Sequence, residues 1–161
     1  MAAAFWPGTR ANASARGGHE LTRKPLILLV DDDREIILGL SLRMRAANYE
    51  IAIARDGKEG LASARENRPD AIILDVRMPV MDGLTMLGEL RANEATAAIP
   101  VVVLSANIAS SAKARALELG ARYFIQKPYE SSTLIQAVRS ALGPETSDRA
   151  ELELRHKGVG R

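Results

Sequence analysis

The stretch Ala71–Gly83, AIILDVRMPVMDG, begins as a strand and ends as a turn. Four apolar residues lead directly into Asp75, and Pro79 ends the extended run a few positions later. A continuous apolar run of this kind is typical of a strand that is covered on both faces of a parallel sheet. A carboxylate at the end of such a strand costs free energy unless another group pairs with it. The stretch therefore predicts a buried strand and a partner for Asp75.

The same alternation of apolar runs and helical periodicity extends in both directions along the chain. Strands are predicted at 26–30, 51–54, 71–75, 99–105 and 122–126. Helices are predicted at 34–47, 57–67, 83–92, 109–119 and 130–142. Five consecutive βα units with right-handed crossovers predict an α/β fold with a doubly wound, five-stranded parallel sheet. An eight-unit closed barrel would need more chain.

Charge is distributed unevenly along the 161 residues. Residues 1–24 carry four Lys/Arg against one acid, 25–143 carry fourteen against fifteen, and 144–161 carry four against four. The division predicts a disordered basic N-terminal arm at 1–24, one domain at 25–143 and a polar tail at 144–161. Because the basic excess lies in the arm, charge does not support nucleic-acid binding by the domain. The chain has no cysteine, and with no signal peptide or membrane span predicted, we expect a cytoplasmic protein.

Polar side chains follow the predicted strands at one edge of the sheet. They are the acids 31–33, Asp75, Ser105 and Lys127. Each has an ordinary explanation, such as Asp33 capping a helix, but several carboxylates at one edge would repel each other and favour a hard cation such as Mg²⁺. One carboxylate could then attack phosphorus, with a hydroxyl and an ammonium covering the phosphoryl oxygens. Spacing leaves open which acids hold the metal, since Asp31 and Asp33 would share a face of a continuing strand.

Four motifs in this order resemble the receiver domain of two-component response regulators, over about residues 25–143. They are ILLVDDDRE, DAIILDVRMPVMDG, VVVLSA and GARYFIQKPY. The resemblance implies the flavodoxin-like receiver fold. It implies that Asp75 accepts a phosphoryl group from a sensor histidine kinase or a histidine phosphotransfer protein. It further implies that Asp31, Asp32, Asp75 and the main-chain carbonyl of Arg77 hold Mg²⁺ (or Mn²⁺).

The resemblance also assigns the residues that respond to phosphorylation. Ser105 would be the switch hydroxyl, and Lys127 would pair with the phosphoryl group and precede a cis Lys127–Pro128 bond. Phe124, three residues before the lysine, would be the aromatic switch residue, and it has no hydroxyl. Arg77 and Asn107 would flank the site and influence the lifetime of the phosphoryl group. The face formed by helix 4, strand 5 and helix 5 would then change its preference for partners.

The resemblance carries expectations about the whole protein. The 18 residues after Gly143 are too few for a DNA-binding module, so we expect a stand-alone regulator that acts on an unknown downstream protein. It would not be an enzyme beyond promoting its own phosphorylation and dephosphorylation. A homodimer through the helix 4–strand 5–helix 5 face is a further expectation.

Two other functions remain open from the sequence. A phosphatase of the haloacid dehalogenase type would use Asp31, Asp33, Ser105 and Lys127, but it would leave Asp75 without a role. A receiver fold kept as a phosphorylation-independent binding module would be expected to lack one of the site residues, and all are present here.

Overall fold

The computed structural model describes residues 23–106 and 109–143. The strands are β1 (Leu26–Val30), β2 (Glu50–Ala54), β3 (Ala71–Asp75), β4 (Val101–Ser105) and β5 (Tyr123–Gln126). The helices are α1 (Arg34–Ala46), α2 (Gly57–Asn67), α3 (Gly83–Ala92), α4 (Ser110–Glu118) and α5 (Ser131–Leu142). All pairings are parallel and the strand order is β2-β1-β3-β4-β5. The predicted α/β fold with a five-stranded parallel sheet is confirmed.

The sheet separates two apolar cores. On one side α1 and α5 pack against strand residues such as Ile27, Leu29 and Ile73. On the other side α2, α3 and α4 pack against Leu28, Ile72 and other residues of opposite parity. Strands β1, β3 and β4 are buried along their whole length, as their unbroken apolar sequences predicted. Their carboxyl ends, β1 and β3 side by side, lie at one edge of the sheet.

Aspartates begin three of the five described helices. Asp33, Asp56 and Asp82 each accept hydrogen bonds from backbone N–H groups in the first turn of α1, α2 and α3. Gly120 follows the end of α4 with a φ of 90°, the left-handed conformation that glycine adopts without strain. These helix starts and the α4 end lie within one residue of the sequence-based expectations.

The predicted start of β4 at residue 99 is two residues early. The strand begins at Val101 because Pro100 has no N–H for the ladder and the Ile99 N–H donates back to the Thr96 carbonyl. The predicted arm and tail fall almost wholly outside the described residues. The exceptions are Arg23 and Lys24. The guanidinium of Arg23 donates two hydrogen bonds to the carboxylate of Asp70. Within the described residues, no helix combines the length and apolar character needed to cross a membrane.

Candidate functional site

Three of the predicted site residues are placed by the ends of neighbouring strands. Asp31 follows β1 and its N–H donates to the carbonyl of Ala54 on β2. Asp75 ends β3, and Ser105 ends β4 on the adjoining strand. All three are buried, with 4%, 7% and 1% of their surface exposed. Parallel pairing therefore brings two carboxylates and a hydroxyl to one edge of the sheet.

Three carboxylates, those of Asp31, Asp32 and Asp75, lie close together at this edge of the sheet. One carboxylate oxygen from each of Asp31, Asp32 and Asp75 lies within 4.8 Å of the others. Asp33 is not in this group, because its Oδ1 accepts hydrogen bonds from the N–H groups of Glu35 (2.8 Å) and Ile36 (3.3 Å). The phosphatase alternative required Asp31 and Asp33 at one site, and this arrangement does not favour it.

Lys127 is the partner of Asp75 that the opening stretch called for. Its Nζ lies 3.0 Å from Oδ1 of Asp75 and 3.6 Å from Oδ2 of Asp31. The backbone holds the lysine in place, since its N–H donates to the carbonyl of Ser105 at 2.8 Å. The Lys127–Pro128 bond is cis, as expected. Burial alone would lower the pKa of Lys127, but the hydrogen bond to Asp75 and the two carboxylate charges outweigh it and raise that pKa.

Asp31 has a buried oxygen that lacks a hydrogen-bond donor. Its Oδ1 accepts from the Asp33 N–H at 2.9 Å, whereas no group among the described residues donates to Oδ2. Burial raises the pKa of this carboxyl, the Asp33 N–H opposes the rise, and the charge of Asp75 adds to it. An unsatisfied buried carboxylate oxygen beside two more carboxylates is the kind of donor set that Mg²⁺ binds. The residues therefore fit the metal that the sequence implied.

The loop between β3 and α3 holds Asp75 by backbone contacts. The N–H of Gly83 donates to the carbonyl of Val76 at 2.8 Å, and a Cβ at position 83 would overlap the carbonyl oxygen of Asp75. Val80, in the same loop, has a φ of 69° and is 73% exposed. Sequence reasoning missed both features, although the glycine directly after the capping Asp82 is a signal for the first.

Arg77 and Phe124 are both associated with the side of the sheet that α3 and α4 cover. Arg77 is exposed in the loop after β3 and lines a cleft of about 800 Å³ between α3 and α4, together with Asp32 and Arg115. Phe124 is half-buried on β5, pairs in register with Val103 and packs against the α2–α3–α4 core. Its neighbour Tyr123 belongs to the opposite core. The remaining predicted residue, Asn107, lies outside the described residues.

Comparison with known proteins agrees with this geometry. The family model for the response regulator receiver domain matches residues 27–139. The transcriptional regulatory protein PrrA of Mycobacterium tuberculosis is 42% identical over 118 residues, which cover 73% of this chain and 50% of PrrA. The chain thus spans about half the length of such relatives.

Solved structures give the same answer. A response regulator from Chloroflexus aurantiacus superposes with a TM-score of 0.71 at 36% identity, covering 74% of this chain and 98% of its own. The receiver domain of the sensor histidine kinase PA1611 from Pseudomonas aeruginosa has a TM-score of 0.70 at 29% identity and covers 75% and 99%. That structure has a magnesium ion coordinated in its active-site cleft. The family model matches most of the chain, and the predicted site residues lie together at one edge of the sheet. The chain therefore belongs to the response regulator receiver domain family.

Proposed function

We propose that this domain accepts a phosphoryl group on Asp75 in a reaction that depends on a divalent cation. The observation that carries the proposal is the contact between Lys127 Nζ and Asp75 Oδ1 at 3.0 Å, in a group of three carboxylates. A lysine so placed pairs with the carboxylate before the reaction and with the phosphoryl oxygens after it. The family, whose members are signalling modules, supports the same role.

The chemistry follows from the side chains present. A carboxylate oxygen of Asp75 attacks phosphorus and forms an O–P bond, while the P–N bond of a phosphohistidine donor breaks and its electron pair leaves on the imidazole. Asp31, Asp32, Asp75 and the Arg77 carbonyl would hold Mg²⁺ or Mn²⁺. When bound, such an ion neutralises charge on the phosphoryl oxygens. Lys127 and the Ser105 hydroxyl then contact the oxygens that remain.

The signal would reach a partner through the α4–β5–α5 face. Phosphorylation replaces the single negative charge of the Asp75 carboxylate with a phosphoryl group that carries about −1.5 to −2 charges. This group attracts the Ser105 hydroxyl, and the movement of Ser105 opens space for Phe124. Because Phe124 has no hydroxyl, its change of position is governed by burial. The domain would receive its phosphoryl group from a histidine kinase or a histidine phosphotransfer protein. Two further expectations stay predictions. The first is that the domain passes its signal to a separate protein, and the second is that it forms a homodimer.

Intact-mass measurement with a small acyl phosphate tests the proposal. With Mg²⁺ present, the protein should gain one phosphoryl increment, and it should gain none after chelation or in Asp75→Asn. Asp33→Asn is the matched control, since asparagine also caps a helix and Asp33 lies outside the cluster of Asp31, Asp32 and Asp75. This variant should be phosphorylated to the same extent as the parent protein. No increment with any small donor or kinase would overturn the proposal and favour the phosphorylation-independent binding module.

A further inference from the structure

The loop between β3 and α3 is held at both of its ends by backbone hydrogen bonds. At its first end the Val76 carbonyl accepts the N–H of Gly83 at 2.8 Å. At its second end the Met81 carbonyl accepts the N–H of Gly57 at 3.1 Å. Gly57 is the first residue of α2, so a helix from another part of the chain fixes the second end of the loop. Arg77 lies between these two anchored ends.

Gly57 is required by its contact with Met81 and not by its own backbone conformation. It lies in the first turn of α2 and its φ is not positive, so other residues could adopt this conformation. A Cβ at position 57, however, would lie 2.7 Å from the Met81 carbonyl oxygen and 2.7 Å from the Met81 Cγ. Carbon atoms in contact are normally about 3.5–4.0 Å apart. A side chain at position 57 would therefore push the loop backbone away from α2.

The residue immediately before Met81 has a strained backbone. The Met81 N–H donates to the Pro79 carbonyl at 2.8 Å, which closes a three-residue turn around Val80. Val80 has a φ of 69°, which is unfavourable for a β-branched residue. Such a conformation persists only where the surrounding structure holds it. The hydrogen bond from Gly57 to the next residue is a contact that does so.

The loop determines the position of only one of the groups proposed to hold the cation. Asp31 and Asp75 are placed by the ends of β1 and β3, and Asp32 follows Asp31 directly. The Arg77 carbonyl, in contrast, belongs to the loop that Gly57 anchors. When a contact that orients a metal ligand is removed, metal affinity typically falls about 10–100-fold. A shift of this loop should therefore weaken cation binding while all the ligand residues remain present.

We infer that Gly57 is a positioning residue for the proposed cation site. Its N–H and its lack of a side chain allow the Met81 carbonyl to approach α2, and this approach sets the position of the Arg77 carbonyl. The inference rests on the cation binding of the proposed function. It adds the start of α2, which lies outside the proposed ligand set, to the parts of the chain that determine cation affinity.

Cation binding by Gly57→Ala in the full-length chain tests this inference, with Gly60→Ala as the matched control. Gly60 lies three residues further along α2, and the atoms nearest to a Cβ there belong to the side chains of Met86 (2.7 Å) and Val30 (3.1 Å). Both changes therefore add a methyl group to the same helix, but only the first meets the loop backbone. The EPR signal of free Mn²⁺ measures the dissociation constant. It should rise about 10-fold or more in Gly57→Ala and stay at the parent's value in Gly60→Ala.

The outcomes of this titration separate the inference from the proposed function. A parent protein that binds no Mn²⁺ would overturn the proposed cation site, and this inference with it. Binding by the parent that is unchanged in Gly57→Ala would overturn the inference alone. Equal losses of affinity in Gly57→Ala and Gly60→Ala would also overturn it, because they would reflect a general loss of stability.

Amide hydrogen exchange in the unsubstituted protein provides a test that does not depend on a variant folding. If the contact between Gly57 and Met81 favours cation binding, a bound cation must favour the contact by the same factor. Saturating Mg²⁺ should therefore slow exchange of the Gly57 N–H about 10-fold more than that of Gly60. The Gly60 N–H is a suitable reference because it donates to the Asp56 carbonyl, at the start of the same helix, at 2.9 Å. Equal slowing at the two glycines would overturn the inference.

Discussion

At the scale of a single residue, the buried carboxylate of Asp31 lowers the stability of the folded protein when no metal is bound. Its carboxylate is buried beside Asp75, and its Oδ2 lacks a hydrogen-bond donor. Burial raises its folded-state pKa above the unfolded value of about 3.9. Because the folded state disfavours the charged form, this group destabilises the fold as pH rises through and above that range. Below the unfolded pKa the cost disappears.

Asp31→Asn should therefore stabilise the protein when a chelator keeps it free of metal. We expect an increase of about 1 kcal/mol in the free energy of unfolding at pH 7, the scale of an unsatisfied buried group, and no difference near pH 3. Urea denaturation across pH with chelator present measures it. Asp32→Asn, at an exposed position, is the control and should have a smaller effect. An Asp31→Asn protein less stable than the parent at pH 7 would contradict this account.

Val80 is a second residue whose backbone costs stability. A β-branched residue at a φ of 69° is strained, and with 73% of its surface exposed its side chain contributes little burial in return. Val80→Asn should raise the free energy of unfolding by about 0.5–1 kcal/mol, because asparagine tolerates this conformation. Val80→Ile keeps the branching and should leave stability unchanged. Equal effects of the two substitutions in thermal denaturation would argue against strain at this position.

At the scale of elements, the helices differ in how they begin. Three have aspartate caps, whereas α5 begins after Glu130, whose side chain makes no capping hydrogen bond. Glu130→Asp should add the cap and stabilise the fold by about 0.5–1 kcal/mol. The reverse change Asp56→Glu, at the cap of α2, should destabilise it by a similar amount. Chemical denaturation of both variants provides the comparison; the same sign for both would refute the capping explanation.

The elements were more predictable than their termini or the loop conformations. Unbroken apolar runs were sufficient to predict β1 and β3, because a strand that is buried on both faces shows no alternation of apolar and polar residues. The start of β4 could not be predicted in this way, since it depends on the hydrogen bond that the Ile99 N–H donates to the Thr96 carbonyl. Spacing also could not tell whether Asp32 or Asp33 lies in the cluster with Asp31 and Asp75. Asp33 lies outside it because its side chain caps α1. Nothing in the sequence indicated the positive φ of Val80, because β-branched residues rarely adopt this conformation.

At the scale of the whole molecule, the cluster of Asp31, Asp32 and Asp75 would link the proposed metal binding to folding. An ion bound only by the folded state stabilises it by about 2.7 kcal/mol at a free concentration of 100 times Kd. The melting temperature should therefore rise with Mg²⁺ concentration and return to its starting value with chelator. Differential scanning calorimetry should show this rise in Asp33→Asn, and a much smaller one in Asp32→Asn. An undiminished rise in Asp32→Asn would exclude this carboxylate as a ligand.

The division of the molecule into two cores constrains the register of one strand. Tyr123 and Phe124 are sequence neighbours on β5, and they pack on opposite sides of the sheet. A slip of β5 by one residue against β4 would carry each ring to the other side and place a phenol in the core where the hydroxyl-free ring now packs. The same slip would separate Lys127 from the Ser105 carbonyl that accepts its N–H. A residue inserted between α4 and β5 should therefore be tolerated only where the turn absorbs it and the strand stays in place.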